Sequence, residues 1–232
     1  MDEIHDYFAR RDYVGAIPLL QHYLRSHHTE WNPWYLLGQA YRFTGDLAQA
    51  ESALAKAVAL NDRDPGVLLA IGIVQQLSGR YELALRTFGQ ANTFDPDFHL
   101  GYNSAAFTYE KMGQLEKAQA TYELAIQALF RALTRQADGP EAPEVPDREP
   151  FGELWVDYTL EANRRFLKTV MQDGKKMLQV DTTFFSYLPR LFAVLIANPH
   201  YPLYLRNRGK VLRSLGRADE AKSLEAEADL FV

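Results

Sequence analysis

A displacement of 34 residues superimposes three stretches of the chain without a gap: WNPWYLLGQAYRFTGDLAQAESALAKAVAL from Trp31, PGVLLAIGIVQQLSGRYELALRTFGQANTF from Pro65 and HLGYNSAAFTYEKMGQLEKAQATYELAIQA from His99. This period constrains the fold more than composition does. A unit so short cannot bury its apolar face alone and has to stack on its neighbours. Within each unit apolar residues recur at helical spacing twice, first at Trp34, Leu37 and Tyr41 (then Leu68 and Ile71; Tyr102, Ala105 and Tyr109). They return at Leu47, Leu54 and Val58 (then Tyr81 and Phe88; Leu115, Tyr122 and Ile126), so each unit reads as two helices. Glycine marks the turn between them at Gly45, Gly79 and Gly113, where a chain leaving a helix takes a positive φ.

Three further columns hold small residues throughout: Gly38, Gly72 and Ala106; Ala50, Ala84 and Ala118; Ala57, Ala91 and Ala125. Small side chains there let the backbones of an antiparallel helix pair approach closely. The pattern resembles the tetratricopeptide repeat family. Its tryptophan-type column holds Trp34, Leu68 and Tyr102, its Leu-Gly pair Leu37-Gly38, Ile71-Gly72 and Ala105-Ala106, and its tyrosine column Tyr41, Gln75 and Tyr109. The aromatic column of the second helix holds Leu54, Phe88 and Tyr122, and Pro96 is the closing proline. Gln75 is the clearest departure, and Asn61 to Asp64 replace the proline of the first unit.

The resemblance implies an all-α, helix-pair solenoid wound as a right-handed superhelix, here interrupted by a Pro-rich linker. Repeats 31–64, 65–98 and 99–132 follow a capping unit, 1–30, to give an N-terminal array over 1–136. The capping unit lacks most of its first helix but keeps Tyr7, Asp12, Tyr13, Ala16 and Leu20 in register. Pro18 is expected in the first turn of its second helix, where a missing N–H matters little. The linker, 137–150, reads ADGPEAPEVPDREP, whose four prolines and net charge of −4 favour an extended, solvated chain. The diverged C-terminal region, 151–232, reads as a long helical stretch from Glu153 to about Gln172, a second from Thr182 to Ala197, and a repeat-like unit over 199–232. That last unit keeps Pro199, Leu205, Gly209, Leu212, Gly216, Ala221 and Ala228 in register, although Arg208 and Glu225 stand in normally apolar columns.

Composition narrows the function. The chain has no cysteine, which excludes disulfides, thiolate metal sites and a cysteine nucleophile. The acidic N-terminus is unlike a signal peptide, and the best apolar run, Leu191 to Ala197, is too short to span a bilayer, so no membrane partner and a cytoplasmic location are expected. His27-His28 with Glu30 lacks the converging ligands of a zinc site, and His99 reads as a helix-start residue. There is no phosphate-cradling glycine loop, no GxSxG and no convincing strand. The expectation is a chain with no catalytic residues, metal site or cofactor, and its function is sought in surfaces.

In the family, partner peptides commonly lie in the concave groove lined by the first helices. The matching positions here include Tyr35, Gln39, Arg42, Leu69, Ile73, Gln76, Asn103 and Phe107. Tyr35, Leu69, Ile73 and Phe107 would form an apolar strip with amide and charged flanks, suited to a segment with a few apolar anchors; the competing reading is packing against the C-terminal helices or linker. The Lys/Asn clamp with which some members hold a terminal carboxylate is excluded, since its positions carry Tyr35, Gln39, Ala70, Leu100 and Ser104.

The net charge of −5 is a cancellation. Residues 1–150 hold 13 basic and 20 acidic side chains, 151–217 hold 11 and 5, and 218–232 hold 1 and 5. Arg206, Lys210 and Arg213, with Arg217, share one helical face and are candidates for an anionic ligand. Competing readings are a solvated face, pairing with the acidic tail Asp219 to Asp229, or docking of the acidic linker. The reading is a non-enzymatic adaptor or scaffold binding another protein or a peptide segment. The alternatives are a dedicated chaperone or assembly factor, and a polyanion- or nucleic-acid-binding basic region, against which the acidic pI of about 5.7 weighs. Self-association into a homodimer through Phe184, Phe185, Tyr187 and Phe192 stays open.

Overall fold

The computed structural model describes residues 1–137, 167–172, 175–180 and 198–229. The chain divides into two compact units, Met1–Gly113 and Gln114–Val232.

The first unit is helical throughout, with α1 (Asp2–Ala9), α2 (Tyr13–Tyr23), α3 (Trp31–Thr44), α4 (Leu47–Leu60), α5 (Pro65–Leu77), α6 (Tyr81–Phe94) and α7 (His99–Lys111). Aspartates start three of these helices. The carboxylates of Asp12, Asp46 and Asp64 accept from the N–H groups of Gly15, Gln49 and Val67 at 2.9, 3.1 and 3.0 Å, satisfying donors that have no partner inside the helix. The expected turn conformation is present, with φ of 88°, 75° and 72° at Gly45, Gly79 and Gly113. One repeat earlier the same column holds Arg11, which takes a left-handed φ of 58° without being glycine.

The small columns do what their size suggests. A Cβ on Gly38 would lie 2.5 Å from Cγ of Leu54, and one on Gly72 would lie 2.4 Å from Cε1 of Phe88. In these two pairs the first helix thus seats the large residue of the second directly on its backbone, and Leu54 and Phe88 are fully buried. Gln75, the departure from the apolar pattern, is only 6% exposed, and its Oε1 accepts from the Thr87 hydroxyl at 2.8 Å. A buried amide is tolerated because the partner helix satisfies it.

The capping unit closes the apolar end of the array with Ile4, Ala16, Leu20 and Leu24 packed on Leu37, Ala40 and Ala53. Pro18 corrects the expectation. With Asp12 as its cap, α2 begins at Tyr13, so Pro18 stands at the sixth helical position, beyond the first turn. It interrupts the hydrogen-bond ladder on a solvent-facing side.

The second unit contains α8 (Leu115–Ala137), β1 (Leu167–Gln172), β2 (Lys175–Val180), α9 (His200–Ser214) and α10 (Ala218–Asp229). Helix α8 runs 23 residues against 14 in α4 and α6. It packs on α9, with Phe130 and Tyr201 edge to face at 5.1 Å. Helices α9 and α10 form a pair of the repeat type around Gly216, whose φ is 77°.

The strands overturn two expectations: the helix drawn from Glu153 to about Gln172 does not hold over 167–172, and the chain does contain strands. β1 and β2 pair antiparallel from Leu167↔Val180 to Gln172↔Lys175. The intervening dipeptide is Asp173-Gly174, the sequence that two-residue hairpins favour, and it outweighs the helical spacing of the apolar residues before it. Linker residues 138–150, the rest of that helical stretch, and the stretch Thr182 to Ala197 with its aromatic residues lie outside the described residues. Among the described residues no helix is long and apolar enough to cross a membrane.

Candidate functional site

Helix α3 contributes Tyr35, Gln39 and Arg42, spaced four and three apart and therefore on one face. They are joined in series. The Gln39 amide donates from Nε2 to the Tyr35 hydroxyl at 2.9 Å, and Arg42 donates from Nε to Gln39 Oε1 at 2.7 Å. The Arg42 guanidinium also lies over the Phe43 ring, 3.9 Å from its centroid. Burial holds Arg42 below the ordinary arginine range, partly offset by Tyr35 and Tyr13.

Helix α5 places Leu69, Ile73 and Gln76 half-buried. Gln76 is committed to the fold: its Nε2 donates to the Thr108 hydroxyl at 2.5 Å and reaches the Ser104 carbonyl at 3.3 Å. It therefore ties α5 to α7 and offers little to a ligand. On α7, Phe107 is 39% exposed with the Lys111 ammonium 5.0 Å from its ring, and Asn103 lies one turn earlier. The Oδ1 of Asn103 is buried and has no hydrogen-bond partner among the described residues. That leaves one acceptor unsatisfied beside an exposed ring.

Residues absent from the expected set complete this surface. Trp31 lies 6.3 Å from the Tyr35 ring, and Tyr13 stacks on the half-exposed Phe43 at 4.2 Å. Phe43 is legible in the sequence as an aromatic outside the core columns; its partner on α2, Tyr13, is in register with the repeat, but the period does not show that the two rings meet.

In the second unit, α9 carries Arg206, Lys210 and Arg213, and α10 answers the cations; Arg217 lies past the end of α9 and past the Gly216 turn, which corrects the expectation that all four share one helical face. Arg206 bonds Asp229 at 3.0 Å, Arg213 bonds Glu225, and Arg217 bonds Glu220 at 2.5 Å. The Glu220 carboxyl is held below the usual range by that hydrogen bond. Lys210 is exposed on the same helix. The two residues in normally apolar columns are explained by charge: Arg208 pairs with Glu123 of α8, and Glu225 is the partner of Arg213. Below them, the Tyr201 hydroxyl donates to buried Glu227 at 2.5 Å. Among the described residues no group of His, Cys, Asp and Glu is arranged to hold a metal ion.

Comparison with known proteins places this geometry. A family model described as Tetratricopeptide repeat matches residues 31–74, and a second with the same description matches residues 101–128. No curated protein matches the chain. A crystal structure of MamA is similar with a TM-score of 0.58 at 15% identity, over 98% of this chain and 93% of that one. TTC0263, a thermophilic TPR protein of Thermus thermophilus, gives 0.56 at 15% identity, over 98% and 87%. A MamA segment from Desulfovibrio magneticus RS-1 gives 0.50 at 18% identity, over 71% and 88%. At these identities the likeness is one of fold.

Proposed function

We propose that the chain, which matches tetratricopeptide repeat models over residues 31–74 and 101–128 and shares the fold of a known protein of that kind, acts as a non-enzymatic adaptor or scaffold in protein-protein interaction. Its partner is a peptide segment held along Tyr35, Gln39, Arg42, Leu69, Ile73, Asn103 and Phe107, with Gln76 keeping adjacent first helices in register. The observation that carries this reading is on α7. Phe107 exposes its ring, and Asn103, one turn away, holds an acceptor without a donor among the described residues. An extended segment supplies what both lack, an apolar side chain for the ring and a backbone N–H for the amide once that side chain turns outward.

The test is affinity capture from the native cell, followed by titration of peptides tiled across the captured partner. Tyr35→Ala and Phe107→Ala each weaken the binding peptide by about tenfold, the loss of an aromatic anchor worth about 1.4 kcal/mol, with the helical content unchanged. Unchanged affinity in both variants refutes the groove. An assembly-factor role has no observation of its own here. Polyanion binding through α9 is weakened as a competitor because Arg206 and Arg213 already carry carboxylate partners on α10.

A further inference from the structure

The C-terminal end of α2 and the residues just after it line, with α3 and α4, an open cavity of about 320 Å³ that shares no residue with the groove. Its floor and walls are Leu24, Trp34, Leu37 and Tyr41, with Gln21 and Gln49 as neutral polar groups. Trp34 and Tyr41 fall on a different stripe of α3 from Tyr35, Gln39 and Arg42, so the two surfaces are separate. Two cations, Arg25 and Lys56, line the cavity, and among the described residues no carboxylate does.

That charge arrangement is unusual for its surroundings. Residues 1–113 carry 9 basic and 13 acidic side chains, so unpaired cations are not the expected remainder. Yet the Arg25 side chain makes no hydrogen bond or ion pair with any described residue. The Lys56 ammonium is held 4.0 Å from the centre of the Trp34 ring, which orders it by a cation–π contact but leaves its charge without a counter-ion among the described residues. Tyr41 accepts from the Gln21 amide at 2.7 Å, which fixes the wall opposite.

The repeat supplies an internal control. One period along the chain, Ala59 and Gln90 replace Arg25 and Lys56, and Leu68 and Gln75 replace Trp34 and Tyr41. A second-helix junction of this array therefore needs neither the cations nor the aromatic floor in order to pack. The volume also limits the occupant, since about 300 Å³ is the lower end of small-molecule sites and too little for a folded partner.

We propose that this cavity binds a small organic carboxylate with a flat apolar body, its anionic head between Arg25 and Lys56 and its body against Leu24, Leu37 and Trp34. Guanidinium and ammonium groups provide charge-assisted hydrogen bonds to the carboxylate. The probe is 3-phenylpropanoate, followed by saturation-transfer NMR and equilibrium dialysis on the full chain. Its neutral isostere 3-phenylpropanamide and inorganic phosphate separate the contribution of charge from that of the apolar body.

The carboxylate is expected to bind with a Kd of about 1 mM or tighter, the range open to a ligand of its size. The amide and phosphate bind at least about tenfold more weakly, and Arg25→Gln with Lys56→Gln weakens the carboxylate by about thirtyfold, as two charges at about 4 Å in a watery mouth would. Both side chains are exposed, so the double variant keeps its fold, which circular dichroism checks. Ser52→Trp, at the exposed rim, obstructs the cavity and removes binding by a route independent of charge. The proposal is overturned if the amide or phosphate binds as well as the carboxylate. It is equally overturned if the double variant binds unchanged, or if no saturable binding is seen up to about 10 mM.

Discussion

Replacing glycine by alanine should have opposite signs at two positions of consecutive helices. Gly72 in α5 and Gly89 in α6 both sit inside helices, where the substitution alone contributes about 1 kcal/mol of added stability. At Gly89 the new methyl group meets nothing within 4 Å, and the full gain remains. At Gly72 it lands 2.4, 2.8 and 3.1 Å from three carbons of Phe88, whereas carbon atoms rest about 3.5 to 4.0 Å apart. The ring would have to withdraw by about 1 Å, and it is fully buried in a close-packed pair. Overpacking of that kind costs about 1–3 kcal/mol; the upper end applies because a rigid ring takes the overlap. Gly72→Ala is therefore net destabilising by about 1–2 kcal/mol. Urea denaturation followed by far-ultraviolet circular dichroism reads both variants. Phe88→Ala in the Gly72→Ala background vacates the space the methyl group needs, whereas leucine would still fill it as Leu54 does against Gly38, so the Phe88→Ala double change costs less than the two single changes together. A Gly72→Ala protein as stable as the parent would refute the account of the small column as a close backbone approach.

Two further outcomes follow from individual residues. Arg11 occupies the turn column in a left-handed conformation that costs a non-glycine residue about 1–2 kcal/mol, so Arg11→Gly stabilises by about 0.5–1 kcal/mol after the entropy of glycine is subtracted. A lowered denaturation midpoint would show that the Arg11 side chain outweighs its backbone strain. Burial raises the Glu227 carboxyl above its ordinary range, against the lowering effect of the Tyr201 hydrogen bond. The folded chain then holds this proton more tightly than the unfolded one. Its contribution is fully present below about pH 4.3, the ordinary glutamate value, and is lost as pH rises through the raised folded value. Glu227→Gln keeps a polar partner for Tyr201 and removes the ionisation, so the variant gains on the parent as pH rises; denaturant titrations across pH showing a constant difference would refute this.

The parts of the fold that are legible in the sequence are those that repeat. Gly45, Gly79 and Gly113 announce their φ because the same backbone requirement recurs three times, and Gly38 and Gly72 announce a close approach for the same reason. Pro18 is easily misplaced because a single proline gives no phase, whereas Asp12, one period before Asp46, marks where α2 begins. The hairpin is hidden because LKTVMQ fits a helical stripe as readily as a strand, and only Asp173-Gly174 distinguishes them. Among candidate site residues, their faces follow from spacing but their commitments do not. Nothing in the period shows that Gln76 is taken by Thr108, or that Arg206 and Arg213 are answered from α10. The cavity between α2 and α4 needs coordinates for a similar reason, since Arg25 and Lys56 are 31 residues apart and line it from two different repeats.

The series on α3 has a direction. Gln39 spends its hydrogen on Tyr35 and its oxygen on Arg42, so the amide cannot turn over without breaking both bonds. Tyr35 is thereby made the receiving end of the chain, and its hydroxyl keeps its own proton to donate. A segment lying against α3 therefore meets a donor at the Tyr35 end and a positive guanidinium at the Arg42 end. Both ends reward oxygen acceptors, and carbonyl-rich or acidic segments are favoured over those presenting amines.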